Sequence, residues 1–291
     1  MTVRLFGVTT HYRPDYNAPI LYPSGFAPPA VPGGMTLALF DDFLGSATNP
    51  AVWYPPFNGI NGEGAIWLGS HQVVANSVLS LQGYQDPTGV ATAIAAGADF
   101  TDAQASAILY WCESETQTVG PLAQLPVGTR VLTAMRSDTL AGLTAIALMF
   151  GHANWPPEID FVEANAPMTA FQATIHYTAS NTQEDVTTTG EGLTFNLNNW
   201  AIWGVQWTAT TIDFLVQLTP NGSLVVWGSI PNPDNNVSDP NSLVQPMFLS
   251  LQFQTNDSFG STPAFPPNSP DITAANPIQQ QHDWVQICVP S

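Results

Sequence analysis

The feature that most constrains the fold of this chain is how often β-prone runs are interrupted. From Leu37 onward, short runs of β-branched, aromatic and aliphatic residues alternate with Gly, Pro, Asn and Asp. The segment Val78-Leu79-Ser80-Leu81-Gln82-Gly83 shows the apolar–polar alternation of a strand with one buried face. No stretch carries a sustained helical periodicity, and we find no internal repeat or low-complexity tract. Many short strands with frequent turns predict an all-β chain, an antiparallel β-sandwich or jelly roll.

Residues 91–107 are the one segment whose composition favours a helix. They are rich in alanine, which has the highest helix propensity of all residues. They also contain glycine and threonine, and they lie between predicted strands. We therefore expect this segment not to be helical.

The first 34 residues differ in composition from the rest of the chain. They are rich in proline and aromatic residues and end in Gly-Phe-Ala-Pro-Pro-Ala-Val-Pro-Gly-Gly. This composition predicts an extended, Pro-rich N-terminal arm over residues 1–34. Residues 35–291 are expected to form a single domain, because β-sandwiches of this size commonly do.

Charged side chains are scarce and almost all acidic. They make up 9% of the chain, which has no lysine, four arginines and a formal net charge of −18. Nucleic-acid binding is therefore excluded, because phosphate contacts need Lys and Arg. The negative charge also disfavours anionic polymers as substrates. We hypothesise adaptation to acidic surroundings, where protonation would remove much of this charge.

The two cysteines and the apolar runs exclude further classes. Cys112 and Cys288 are too few for a disulfide scaffold or a zinc site. They form either a single bridge or two buried free thiols. The longest apolar run, around residues 140–150, is too short to span a bilayer, so no membrane partner is expected.

The segment 158–163, Glu-Ile-Asp-Phe-Val-Glu, places three carboxylates within six residues of a chain that has only 22 acidic residues. Its apolar residues favour a strand. On a strand, Glu158 and Asp160 point to one face, and strict alternation would send Glu163 to the other. A one-residue bulge after Asp160 would return Glu163 to the same face, and bulges are frequent beside active sites. We therefore predict three acids on one face, with apolar residues on the other.

Neighbouring carboxylates suit the cleavage of glycosidic bonds. Their repulsion separates their proton affinities, so that one stays ionised while another keeps its proton. One then attacks the anomeric carbon and the other protonates the leaving oxygen, and a separation of about 5–5.5 Å goes with retention of configuration. Two other interpretations stay open, a solvated acidic strand and a calcium-binding edge.

The same six residues resemble the signature of glycoside hydrolase family 16, in the longer, bulged form of laminarinases, agarases and carrageenases. The resemblance implies a jelly roll with a concave glycan-binding cleft. It implies that Glu158 is the nucleophile, that Glu163 is the acid/base and that Asp160 lies between them, hydrogen-bonded to the nucleophile. No cofactor is required for this chemistry, although relatives often bind a structural calcium ion.

Five further residues are candidates for binding. Trp155 is our strongest candidate for stacking on a sugar ring, because pyranose faces are apolar. By resemblance, His176 contacts substrate or supports Glu163, and Trp207 and Gln252 match substrate-contacting positions. Asp283 matches an acid near which relatives bind calcium, which is a weak indication of a metal. The chain departs from the family where Ile146, Ala147 and Leu148 replace a usual tryptophan.

These observations predict a retaining endo-glycoside hydrolase acting on a neutral β-glucan with β-1,3 or mixed β-1,3/1,4 linkages. Two alternatives stay open: a transglycosylase or galactan-directed hydrolase with the same catalytic residues, and a non-catalytic glycan-binding protein. The expected partner is a polysaccharide, and the expected oligomeric state is a monomer. Residues 1–7 show no signal peptide. We nevertheless expect an extracellular protein, because polysaccharide-cleaving enzymes usually work outside the cell.

Overall fold

The computed structural model describes residues 22–54, 58–60, 66–107, 109–138, 143–165, 169–187, 193–255 and 272–291. Within these ranges strands dominate, with two α-helices and two short 3-10 helices (Gly69–His71 and Gly120–Ala123). The elements are β1 (Met35–Asp41), β2 (Trp53–Tyr54), β3 (Gly59–Ile60), β4 (Ile66–Trp67), β5 (Gln72–Ala75), β6 (Val78–Gln85), α1 (Pro87–Ala95), α2 (Asp102–Ala107), β7 (Trp111–Thr118), β8 (Arg130–Ser137), β9 (Leu143–Gly151), β10 (Glu158–Asn165), β11 (Ala170–Tyr177), β12 (Thr182–Thr187), β13 (Ala201–Trp207), β14 (Thr211–Gln217), β15 (Val225–Pro231), β16 (Met247–Thr255) and β17 (Ile278–Pro290).

Most of the described strands form two large antiparallel sheets, while β3 and β4 pair with each other and β4 lies parallel to the start of β7. The front sheet has the order β2-β7-β16-β9-β10-β11-β12. The back sheet has the order β5-β6-β17-β8-β13-β14-β15, and β1 pairs with the second half of β17. This architecture confirms the prediction of an all-β antiparallel sandwich.

The main hydrophobic core draws its side chains from both sheets. Ile159 and Phe161 contribute from the front sheet, and Trp203 and Phe214 contribute from the back sheet. The rings of Phe171 in the front sheet and Trp203 in the back sheet lie 5.1 Å apart. Burying large aromatic and aliphatic side chains between two sheets is the principal source of stability for a sandwich.

The expectation that residues 91–107 are not helical is wrong over most of that segment, because α1 and α2 run through it. Asp86 caps α1 by accepting a hydrogen bond from the backbone N–H of Gly89 at 2.8 Å, and Pro87 begins the helix. An aspartate cap followed by proline is a strong helix start, and the alanine content then sustains the helix. Within the described ranges, no helix has both the length and the apolarity needed to cross a membrane.

The two cysteines are separate buried thiols. Cys112 lies in a small second core with Ile66, Leu68 and the helices, whereas Cys288 lies on β17 in the back sheet. The structure therefore decides between the two alternatives for the cysteines in favour of free thiols.

The described part of the N-terminal arm, residues 22–34, packs against the back sheet. The indole N–H of Trp284 donates to the carbonyl oxygen of Phe26 at 2.7 Å. The side chain of Gln286 donates to the carbonyl oxygen of Pro29 at 2.9 Å, and the Arg130 guanidinium donates to that of Ala30 at 3.0 Å. Residues 1–21 of the predicted arm lie outside the described residues.

Candidate active site

The bulge predicted in the acidic segment is present in β10. On the side of β9, Asp160 pairs with Leu148 and Val162 pairs with Ala147, so Phe161 is the extra residue. On the side of β11, the register also shifts between Asp160 and Glu163. Because one residue is inserted, Glu163 returns to the face that carries Glu158 and Asp160. The expectation that the three acids share one face is confirmed.

The buried side of β10 explains why the bulge forms there. Ile159, Phe161, Val162 and Ala164 are all fully buried in the main core. A regular strand could bury only one of two consecutive residues against that core. The bulge lets both Phe161 and Val162 reach the core, so hydrophobic burial favours the irregular backbone that aligns the acids.

The acids belong to three rows of side chains on the outer surface of the front sheet, which we call the acid-bearing face. Directly opposed residues in antiparallel strands project to the same face, so strand register assigns the members of each row. Among the side chains that the structure describes, the first row contains Glu115, Gln252, Glu163 and Gln172; the second contains Tyr54, Gln117, Ser250, Leu148, Asp160 and Thr174; the third contains Phe248, Phe150, Glu158, His176 and Gln183.

Glu163 is buried and is held by its neighbours on β11. The hydroxyl of Thr174 donates to Glu163 Oε2, and the side-chain amide of Gln172 donates to the same oxygen at 3.3 Å. His176 is in a different place from the one that the sequence suggested. It pairs with Glu158, and its Nε2 lies 3.6 Å from Asp160 Oδ2. Of the two alternatives for His176, support of Glu163 is therefore wrong, because Thr174 and Gln172 hold that carboxyl group. Contact of His176 with substrate stays a prediction.

Trp155 borders the acid-bearing face beside Glu158. Its indole N–H donates to Glu158 Oε2, and its ring centroid lies 6.0 Å from that of His176. The side chain is 55% exposed, which is unusual for a tryptophan and leaves much of its surface accessible. Stacking of Trp155 on a sugar stays a prediction, and its exposure is consistent with it.

The predictions for Trp207 and Gln252 have different outcomes. Trp207 is fully buried in the main core and donates its indole N–H to the carbonyl oxygen of Leu243 at 2.6 Å. The prediction that Trp207 contacts substrate is therefore wrong, because its strand belongs to the back sheet. Gln252 is in the first row of the acid-bearing face, where its amide donates to Glu115 Oε1 at 3.1 Å. Contact of Gln252 with substrate stays a prediction.

Glu115 is a further carboxyl group on this face, and our sequence reasoning missed it. Its Oε1 accepts hydrogen bonds from Ser250, Gln117 and Gln252, the last two at 2.7 and 3.1 Å. Burial raises the pKa of the Glu115 carboxyl, and the nearby charge of Glu158 adds to the rise, although the three hydrogen bonds oppose it. The sequence feature that could have identified Glu115 is its position as an acid within a strand-like segment of a chain that has few acids.

We expect Glu115→Gln to gain stability relative to the wild type as pH rises. A carboxyl group whose folded pKa is raised contributes stability below its unfolded pKa, and that contribution is lost as pH rises through the folded value. Glutamine keeps an acceptor for the three donors and cannot ionise. Urea unfolding of both proteins between pH 4 and pH 8 would show the difference growing with pH. A difference that is constant with pH would contradict a buried, titrating Glu115.

The surroundings of Asp283 show only some of the features expected of a calcium ligand. It lies on β17 in the back sheet, where Ser24 donates to its Oδ2 through both the backbone N–H and the hydroxyl. Its Oδ1 is buried and has no hydrogen-bond partner among the described residues, and a cation would satisfy it. Burial raises the pKa of the Asp283 carboxyl, and the charge of Asp42 contributes to the rise. Calcium needs six to eight oxygen ligands, so most would have to come from other groups.

No protein-family model matches this chain, and no curated protein matches it in sequence. Solved structures do match. An endo-β-1,3-glucanase from Pyrococcus furiosus superimposes with a TM-score of 0.61 at 18% identity, over 88% of this chain and 94% of that one. SCLam, a non-specific endo-β-1,3(4)-glucanase from family GH16, gives 0.64 at 18% identity, over 92% and 96%.

A third solved structure belongs to the endo-acting O-glycanases with which members of the human gut microbiota initiate mucin breakdown. It matches with a TM-score of 0.67 at 17% identity, over 91% of this chain and 94% of that one. These likenesses extend over nearly the whole of both chains in each comparison. They confirm, at the level of the fold, the resemblance that the acidic segment indicated.

Proposed function

We propose that this chain is a member of glycoside hydrolase family 16 and a retaining endo-glycoside hydrolase acting on a neutral β-glucan. The observation that carries the proposal is the bulge in β10, which aligns Glu158, Asp160 and Glu163 on one face. Surfaces without a function rarely gather three carboxylates, since partial burial and mutual repulsion are both costly.

In the proposed reaction, Glu158 attacks the anomeric carbon while Glu163 donates its proton to the departing glycosidic oxygen. The bond from the anomeric carbon to that oxygen breaks, and a glycosyl ester of Glu158 forms. Glu163, now ionised, removes a proton from water, whose oxygen attacks the anomeric carbon and releases Glu158. The hydrogen bonds from Trp155 to Glu158 and from Thr174 to Glu163 support this assignment, because they hold each carboxyl group in a defined orientation.

The proposed substrate is neutral and contains β-1,3 linkages. A chain with net charge −18 and no lysine would repel sulfated or uronic polymers. Two exposed aromatic side chains occupy different parts of the acid-bearing face, Trp155 beside Glu158 and Tyr54 on the edge strand β2, where it is 47% exposed. Aromatic rings at separate points suit a long glycan that stacks several of its sugar units. The names of two of the similar structures support a β-glucan.

A second candidate is the same chemistry on a different glycan, such as a galactan, or transfer to a sugar acceptor. Two observations favour it. The segment of β9 with Ile146, Ala147 and Leu148 lacks the tryptophan that relatives usually carry there, and the likeness to an endo-acting O-glycanase has a TM-score of 0.67. A non-catalytic glycan-binding protein would need no such arrangement of acids.

The proposed setting is extracellular and monomeric. A polysaccharide is too large to enter a cell intact, so an enzyme that cuts inside the chain must meet it outside. The three proposed catalytic carboxyl groups, Glu158, Asp160 and Glu163, all come from the single strand β10, so no second subunit is needed to complete the site.

The proposal is tested by incubating the protein with laminarin, mixed-linkage β-glucan, β-galactan and mucin O-glycans. We expect new reducing ends from the first two, with oligosaccharides of several lengths appearing early, because attack occurs inside the chain. Proton NMR of fresh product should show the β-anomer first, because retention regenerates the starting configuration. Products longer than the starting oligosaccharide would indicate transfer. Binding without cleavage of any substrate would reject the proposal.

A further inference from the structure

Glu158, Asp160 and His176 form a compact set of metal-ligating groups. Each offers one ligand atom, and the three atoms all lie within 4.8 Å of one another. Two come from β10 and one comes from the adjacent β11, where His176 stands directly opposite Glu158. The set combines an imidazole with two carboxylates, which is a donor set typical of zinc and related divalent ions.

His176 is oriented by a residue outside this set. Its Nδ1 lies 2.9 Å from the side-chain oxygen Oδ1 of Asn181, which can only accept a hydrogen bond, so Nδ1 carries a proton. Nε2 is then the ring atom that faces the two carboxylates. Metal-binding histidines are usually held in this way, with the second ring nitrogen donating to an oxygen that fixes the tautomer.

The distances suit a small cation. Zinc binds histidine nitrogen and carboxylate oxygen at about 2.0–2.2 Å, so two ligands of a tetrahedral site lie about 3.4 Å apart. His176 Nε2 and Asp160 Oδ2 are separated by 3.6 Å. The ligand oxygen of Glu158 lies within 4.8 Å of both atoms, and a change of torsion angle in this partly exposed side chain would bring it to ligand distance.

The electrostatic setting also favours a dication. The chain carries a net charge of −18, and two carboxylates meet beside a single histidine. A divalent ion bound there would relieve the repulsion between Glu158 and Asp160 without a change in the fold.

We propose that Glu158, Asp160 and His176 form a reversible binding site for a divalent transition-metal ion, with zinc as the representative ion. The inference that such an ion inhibits the protein rests on the proposed function, because the ion would bind the carboxylate of Glu158 that attacks the substrate. Metal binding and glycan cleavage would then exclude each other. The site is therefore a point at which free metal concentration regulates activity.

Isothermal titration of the full chain with zinc chloride at pH 7 tests the binding. We expect one site in the wild type and an affinity at least tenfold lower in His176→Ala. Asn181→Ala should lower the affinity by about 10- to 100-fold, because it removes the group that orients the imidazole. The control is His152→Ala, an exposed histidine outside the set, which should bind zinc like the wild type. Circular dichroism establishes that each variant is folded.

Absence of zinc binding, or equal binding by wild type and His176→Ala, would overturn the proposal. A parallel assay of glycan cleavage against free zinc separates the two inferences. Zinc binding that depends on His176 in a protein without hydrolase activity would uphold the metal site and reject the proposed function. Hydrolase activity in a protein that does not bind zinc would do the reverse.

Discussion

Glu158→Gln is expected to lower the rate of glycan cleavage by at least about a thousandfold while leaving the fold unchanged. The amide is nearly isosteric with the carboxyl group, so it can still accept the hydrogen bond from the Trp155 indole. It cannot attack an anomeric carbon, because its oxygen is a far weaker nucleophile than a carboxylate. The measurement is the release of reducing ends from laminarin, alongside a thermal melt of the same preparation.

The matched control is Glu184→Gln, the same substitution on the adjacent part of the front sheet. Glu184 on β12 pairs with Ile175, so it projects to the side opposite the acid-bearing face, where Tyr177 donates to it at 2.8 Å. We expect this variant to cleave glycan at the wild-type rate. Near-normal activity of Glu158→Gln on every substrate that the wild type cleaves would show that Glu158 is not the nucleophile.

The second large effect concerns acid stability and depends on His282. Its ring is fully buried in the back sheet, and burial lowers its pKa to about 3. Thr133 donates to the carbonyl oxygen of Trp284, so its hydroxyl accepts from Nδ1–H of His282, while the amide of Gln280 donates to Nε2. Both ring nitrogens are thus satisfied by the neutral imidazole, and protonation would set two donors against each other.

The direction of the effect follows from linkage. The folded pKa lies below the unfolded value of 6.5, so the folded protein resists protonation and stability is lost as pH falls below about 6.5. Between pH 7 and pH 4 this single group should lower the free energy of unfolding by about 3 kcal/mol. His282→Gln should remove that loss, even if the variant is less stable than the wild type at pH 7.

Urea unfolding at pH 7 and pH 4, with a chelator present so that no metal at Asp283 contributes, measures the difference. Ile287→Val serves as the control, because it weakens the same core without removing a titrating group. It should shift both unfolding midpoints by similar amounts. A wild-type protein and a His282→Gln variant with the same dependence on pH would show that His282 titrates normally.

These opposing groups qualify the hypothesis of adaptation to acid. Burial also lowers the pKa of His71, so His71 and His282 both favour stability near neutral pH. Burial raises the pKa values of Glu115, Asp138 and Asp283, and these carboxyl groups favour stability at acidic pH. We therefore expect maximal stability at a mildly acidic pH, because the two histidines destabilise the fold at lower pH and the three carboxyl groups destabilise it at higher pH.

Local patterns in the sequence were sufficient to predict the all-β architecture and the arrangement of the three acids. Strands and turns depend mainly on residues that are adjacent in the sequence, so the alternation of short β-prone runs with turn residues indicates the fold class directly. The bulge was predicted from the spacing of the acids, because strict alternation would send Glu163 to the face opposite Glu158 and Asp160. The structure adds that the bulge also buries the consecutive residues Phe161 and Val162. The Asp86-Pro87 signal before α1 was also present in the sequence, whereas the prediction for residues 91–107 rested on their glycine and threonine content and on the flanking strands.

The positions of Trp207, His176 and Glu115 were decided by the tertiary structure. Only strands of the front sheet contribute side chains to the acid-bearing face. Trp207 lies on a strand of the back sheet, and its side chain is buried in the core. The register between β10 and β11 sets His176 opposite Glu158, and the register of β7 against β16 brings Glu115 into the row of Glu163. Such pairings join residues far apart in the chain, and their energies depend on how whole sheets pack. The alternation along a single strand therefore determined which acids could share a face, while strand order and register determined which other side chains joined them.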